Sequence, residues 1–193
     1  RWRFLWERWT IFWHLHFSKQ NLFAIDVANA GADITSLPEF KLADVIHLSW
    51  INQGMLSLNS IKKIVNSGKP MVWTMHDIWP ATAICHLTLG CNNFKQICRR
   101  CKYLPGGGSD KDLSTAVWQK KKRLYEKSDI HFVACSRWLA DQARQSQLLR
   151  DLHVCAIPNP IDTRVFAPKN KVECAELMSL PANKRLILFA AQR

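Results

Sequence analysis

The hydrophobic positions fall into short unbroken runs separated by longer amphipathic stretches. Residues 44–48 (DVIHL), 70–75 (PMVWTM), 130–135 (IHFVAC) and 152–157 read as buried strands, and 22–27 (LFAIDV) as a weaker one. Between them lie helical patterns. Residues 55–65 carry Met55, Leu58, Ile61 and Val65 on one stripe, and Gly68 stops the run as a residue that tolerates a left-handed C-terminal position. Residues 113–127 form a basic helix with Leu113, Val117 and Leu124 inward, and Ser136 is a helix N-cap for 137–147. Residues 158–168 are a proline-punctuated turn region, followed by a short helix over 171–178 and an apolar strand over 185–190 (RLILFA). Strands alternating with helices specify an α/β fold, a Rossmann-like parallel sheet with helices on both faces. Ligands of such sheets bind beyond the carboxyl ends of the strands. The chemistry is therefore sought at residues 49–52, 76–79, 136–138 and 159–162.

The first seventeen residues follow a different pattern. Trp2, Leu5, Trp6, Trp9, Phe12 and Trp13 recur at nearly helical spacing, with Arg1, Arg3, Glu7 and Arg8 filling much of the remainder. This is an amphipathic helix with an aromatic face, suited either to packing on the sheet or to resting on a membrane surface. No run of about 18 apolar residues is present to span a bilayer. The chain begins with Arg, so it is expected to be a piece of a longer protein. At 193 residues it is long enough for one domain with a real core. The formal charge of +12 attracts anions, but the basic residues are scattered, with modest clusters at 99–102 and 120–123.

Seven cysteines stand at 85, 91, 98, 101, 135, 155 and 174. An odd count with one tight cluster argues against a secreted disulfide framework and for a reducing compartment. Cys85, Cys91, Cys98 and Cys101 make the pattern C-x5-C-x6-C-x2-C within a loop over 76–109. Three readings stay open: a closed structural zinc site with His86 as a substitute ligand, one or two disulfides, or free thiols.

Three strand ends carry a shared pattern: VWTMHDIW at 72–79, VACSRWLAD at 133–141 and IPNPIDTRVFAP at 157–168. In this order they resemble glycosyltransferase family 4, the retaining GT-B enzymes, and in particular bacterial members that build capsule, exopolysaccharide or lipopolysaccharide. The resemblance implies that 1–165 is an incomplete GT-B N-terminal, acceptor-side domain. It further implies that 166–193 is a linker and the first strand of a truncated second domain. The donor-binding domain is then expected beyond this chain, and the fragment alone is expected to be inactive. Pro160 departs from the family, which has Gly there; Pro fixes φ and removes a donor.

The resemblance also implies roles. His76 corresponds to a residue at the junction of donor and acceptor, where an imidazole donates to a sugar hydroxyl or to developing charge. Asp77 orients His76, binds acceptor hydroxyls or caps the following turn. Ser136, Arg137 and Asn159 are candidates for substrate contact. Helix capping by Ser136 and an interdomain turn at Asn159 and Asp162 are the competing readings. Adjacent side chains at 76 and 77 point apart, so no catalytic triad is built with Ser136.

The expected function is retaining glycosyl transfer from a nucleotide sugar to a glycan or lipid-linked acceptor, in cell-surface glycan biosynthesis. The expected location is the cytoplasm, peripheral on the inner face of the membrane through residues 1–17. Nucleic acid is not an expected partner. The alternative is a zinc-stabilised nucleic-acid-binding module, which draws on the charge and the cysteines but lacks a recognised reader motif. A non-catalytic scaffold descended from a transferase is the third reading.

Overall fold

The computed structural model describes residues 1–181 and 183–189. It contains a four-stranded sheet of β1 (Ile46–Leu48), β2 (Met71–Met75), β3 (Ile130–Ala134) and β4 (Val154–Ala156), in the order β1-β2-β3-β4. Every neighbouring pair is parallel, with Met71 opposite Ile130 and Phe132 opposite Val154. The α/β parallel sheet read from the apolar runs is therefore the architecture found.

The α-helices are α1 (Trp2–His14), α2 (Pro38–Leu42), α3 (Leu58–Asn66), α4 (Leu113–Tyr125), α5 (Arg137–Arg144) and α6 (Lys171–Leu177). Three of them connect successive strands, as parallel pairing requires. Each starts on a side-chain cap: Ser57 accepts from the Ser60 N–H, Asp112 from Thr115 and Ser136 from Leu139. Gly68, at φ +73°, closes the turn after α3. The α3 stripe is rotated from the expected one: Leu58, Ile61 and Ile64 are buried, while Met55 precedes the helix and is exposed.

Register places Trp73 beside Phe132 on one face of the sheet, their rings stacked with centroids 5.6 Å apart. Tyr125 of α4 meets both rings edge-on, and Trp79 packs against Trp73. Burying four large aromatics at one point makes this the densest part of the core. On the opposite face Val72 and Thr74 are half-buried, while His47 and His131 are exposed.

Two expected strands are not formed. Within 22–27 only Ile25 pairs, in an isolated antiparallel bridge to Cys85. Arg8 on α1 takes the carbonyls of Leu22 and Ile25, so the segment is tied to a helix instead of a sheet edge. Residues 185–189 have no regular structure, with Ile187, Leu188 and Phe189 exposed, and the last position of that expected strand, Ala190, lies outside the described residues. A strand needs a neighbour to satisfy its N–H and C=O groups, and none of the four described strands pairs with it.

Of the two arrangements open for helix α1, the aromatic face packed on the sheet is not the one found. Trp2, Trp6, Trp9 and Trp13 form an exposed row, and the buried side carries Glu7, Arg8, Ile11 and, just past the helix, Leu15. Its backbone lies close against Gly54 (φ +78°), where an added Cβ would fall 2.5 Å from the Phe4 nitrogen. The chain divides into two compact units, Arg1–Asn159 and the residues from Pro160 onward. In the second, Asn170 caps α6 by accepting from the Val172 and Glu173 N–H groups, and no α6 residue is buried.

Candidate functional site

Strand β2 ends at Met75, which puts His76 and Asp77 at the carboxyl rim of the sheet. Ser136 follows β3 at the same rim. His76, Asp77 and Ser136 line one cavity of about 150 Å³, together with His86, Trp138 and Gln142. Three of the five expected catalytic and substrate-binding residues thus converge. Arg137 and Asn159 are exposed and lie outside this lining.

Adjacent His76 and Asp77 take separate partners. His76 Nε2 lies 3.1 Å from the Ser49 hydroxyl, at the end of β1. Asp77 Oδ1 accepts the Trp79 N–H at 2.8 Å, while Oδ2 lies 2.7 Å from His86 Nδ1. The other nitrogen of His86 is 2.7 Å from Asp26. Asp26 pairs with Arg8 of α1, and Glu7 accepts the N–H groups of Val27 and Ala28 at 3.0 and 2.6 Å. A chain of hydrogen-bonded and ion-paired side chains therefore runs from the cavity to the buried face of α1. Burial pulls the Arg8 guanidinium below its ordinary pKa, and Glu7 opposes that shift. Buried charges are costly unless paired and hydrogen-bonded; Arg8 pairs with Asp26 and donates to the Leu22 and Ile25 carbonyls, while Glu7 Oε2 and Arg8 Nε find no hydrogen-bond partner.

Sequence reasoning missed this role of His86, which follows Cys85 and so was read as a spare metal ligand. It also missed Lys121. That side chain is fully buried in α4, donates to the carbonyls of Trp79 and Thr82 at 2.6 and 3.0 Å, and stands 3.2 Å over the Trp79 ring. Burial drives its pKa well below the ordinary lysine value. Lys121 braces the turn that follows His76 and Asp77. The visible signal was a lysine on the inner stripe of a helix, one turn from Val117 and Leu124.

The zinc expectation is corrected. Among the described residues no group of three or more His, Cys, Asp or Glu side chains stands ready to hold a metal ion. Cys85, Cys91, Cys98 and Cys101 do line one small cavity, of about 20 Å³, but all are free thiols. Burial pushes Cys98 up to about 12 and Cys101 up to about 11, and it raises Cys85 as well. Ile84, Phe94 and Tyr103 complete an apolar wall around them.

A parallel sheet with polar side chains gathered beyond its carboxyl ends defines an α/β domain of the kind that binds ligands at that rim. The chain belongs to Glycosyltransferase Family 4, whose model matches residues 4–165. It is 36% identical over 104 residues to a protein named as a colanic acid biosynthesis glycosyl transferase, WcaC, of Escherichia coli (strain K12). That match covers 50% of this chain and 25% of the relative, so the chain spans about a quarter of the relative's length. No solved structure matches significantly. The family match favours the transferase reading over the zinc-stabilised nucleic-acid-binding module. No described helix is long and apolar enough to cross a membrane.

Proposed function

We propose that this chain supplies the acceptor side of a glycosyltransferase that moves a sugar from a nucleotide donor to a growing cell-surface glycan, with retention of configuration. The observation that carries this reading is the convergence of His76, Asp77 and Ser136 on one cavity at the carboxyl rim of a family 4 sheet. His76, steadied by Ser49, reaches the acceptor hydroxyl or the charge that develops at the transferring centre. Asp77, held from the other side by His86, receives a hydrogen bond from an acceptor hydroxyl. Ser136 sets the start of α5 and lends its hydroxyl to the same cavity. Arg137 and Asn159 serve substrate at its edge.

The exposed row Trp2, Trp6, Trp9 and Trp13 rests on the lipid headgroups, and Arg1 and Arg3 meet their phosphates. The acceptor on this reading is lipid-linked and the enzyme peripheral on the cytoplasmic face. Co-flotation with phosphatidylglycerol vesicles tests this. Trp6→Ser with Trp9→Ser is expected to leave the protein at the bottom of the gradient, and undiminished flotation would contradict it.

The activity is tested by incubating the full-length protein with labelled nucleotide sugars and membrane lipid extract. Label is expected in the lipid fraction, with the product anomer matching the donor by NMR. Release of free sugar alone, or an inverted anomer, would overturn the proposal.

A further inference from the structure

Trp138 is unexplained by folding. It lies two residues past the cap of α5, whose inner face is Leu139, Ala140 and Ala143, and its side chain is 67% exposed. An exposed indole on a short helix does nothing for the core. Yet it lines the same cavity as His76 and Asp77, and Gln142 stands one helical turn further on. We propose that Trp138 is the stacking platform for one pyranose ring of the acceptor glycan, with Asp77 and Gln142 binding its hydroxyls. The inference rests on the transferase reading above and adds the chemical class of what this cavity holds.

Three observations favour a sugar over other flat or polar ligands. A pyranose has one face of axial C–H groups and a rim of hydroxyls, and the cavity offers an aromatic surface beside a carboxylate, an amide and the Thr88 hydroxyl. No Lys or Arg lines it, its two imidazoles are already bonded to Ser49 (His76) and to Asp77 and Asp26 (His86), and the Asp77 carboxylate stands in its wall, which together disfavour a phosphate or diphosphate group. At about 150 Å³ it is smaller than the roughly 300–1,000 Å³ of sites for larger ligands, which suits a single ring.

The test uses saturation-transfer NMR on the full-length protein with methyl β-glucopyranoside, methyl β-galactopyranoside and methyl α-fucopyranoside, and uridine diphosphate as a control. Saturation is expected on the C–H protons of one ring face of at least one glycoside. Trp138→Ala is expected to weaken that signal about tenfold and Trp138→Phe to retain most of it. The fold is unaffected, because the residue is exposed. Glycoside signals equal in wild type and Trp138→Ala, no glycoside signal at all, or uridine diphosphate occupying Trp138 instead would each overturn the proposal. Transfer assays separate this from the reading beneath it. If Trp138→Ala keeps the acceptor KM while His76→Ala abolishes transfer, the platform falls and the transferase stands. If neither variant alters transfer, both fall.

Discussion

His86 Nδ1 stands 2.7 Å from Asp77 Oδ2, and this contact ties the candidate catalytic loop to the rest of the domain. Through Asp26 and Arg8 the same ring joins that loop to α1. Replacing His86 by Ala leaves two carboxylates facing a void. His86 makes a hydrogen bond to each carboxylate, and hydrogen bonds to charged groups are worth about 1.5–3 kcal/mol each. His86 and Asp77 are partly solvated, so a loss of about 3 kcal/mol is expected in urea denaturation. A loss below about 1 kcal/mol would mean the contact is ornamental.

Glu7 satisfies two backbone donors from inside the domain, those of Val27 and Ala28. Glu7→Gln keeps an acceptor oxygen in place. Glu7→Leu keeps the bulk and strands both N–H groups, each costing about 1–3 kcal/mol. The leucine variant is therefore expected to be less stable than the glutamine variant by about 2 kcal/mol or more in the same denaturation experiment.

Ser136 has a capping role and a proposed substrate role, and substitutions separate them. Ser136→Ala removes the bond to the Leu139 N–H and is expected to cost about 1 kcal/mol. Ser136→Asp restores the cap and the stability. A transfer rate that stays low in the stable Asp variant marks the substrate role, whereas recovery of both together marks a cap alone.

Cys98 links the thiol cavity to pH. Its pKa rises from an ordinary 9.0 to about 12 in the folded protein because burial disfavours the thiolate. The unfolded chain therefore releases this proton first, and the stabilisation held below about pH 9 is lost as pH climbs toward 12. The stability difference between wild type and Cys98→Ala is expected to shrink across that window, by at most about 1.4 kcal/mol per pH unit. At pH 8 iodoacetamide should modify native Cys98 about a thousandfold more slowly than the unfolded thiol. Fast native modification would contradict the burial.

Much of this architecture was legible because the strands of a parallel sheet are short continuous apolar runs. The segments PMVWTM and IHFVAC announce β2 and β3, and residues just after them line the candidate site. What failed was reading where charge goes. In α1 the tryptophans drew attention to the wrong face, since no helical periodicity announces that Glu7 and Arg8 are buried against partners 14 to 21 residues away. The cysteine spacing suggested a metal, but spacing carries no information about how the side chains are set in space, and no metal-holding group is found among the described residues. His86 was visible only as a neighbour of Cys85; its two carboxylate partners come from positions 26 and 77 and meet only in the folded chain.

His76, at the rim of this sheet, is the residue proposed to take part in sugar transfer. The most direct measurement is the initial rate at which the full-length protein transfers labelled sugar to lipid-linked acceptor, compared between wild type and His76→Ala at matched folding by circular dichroism. A fall in kcat of about a hundredfold or more is expected. A His76→Ala enzyme that turns over at the wild-type rate would contradict it.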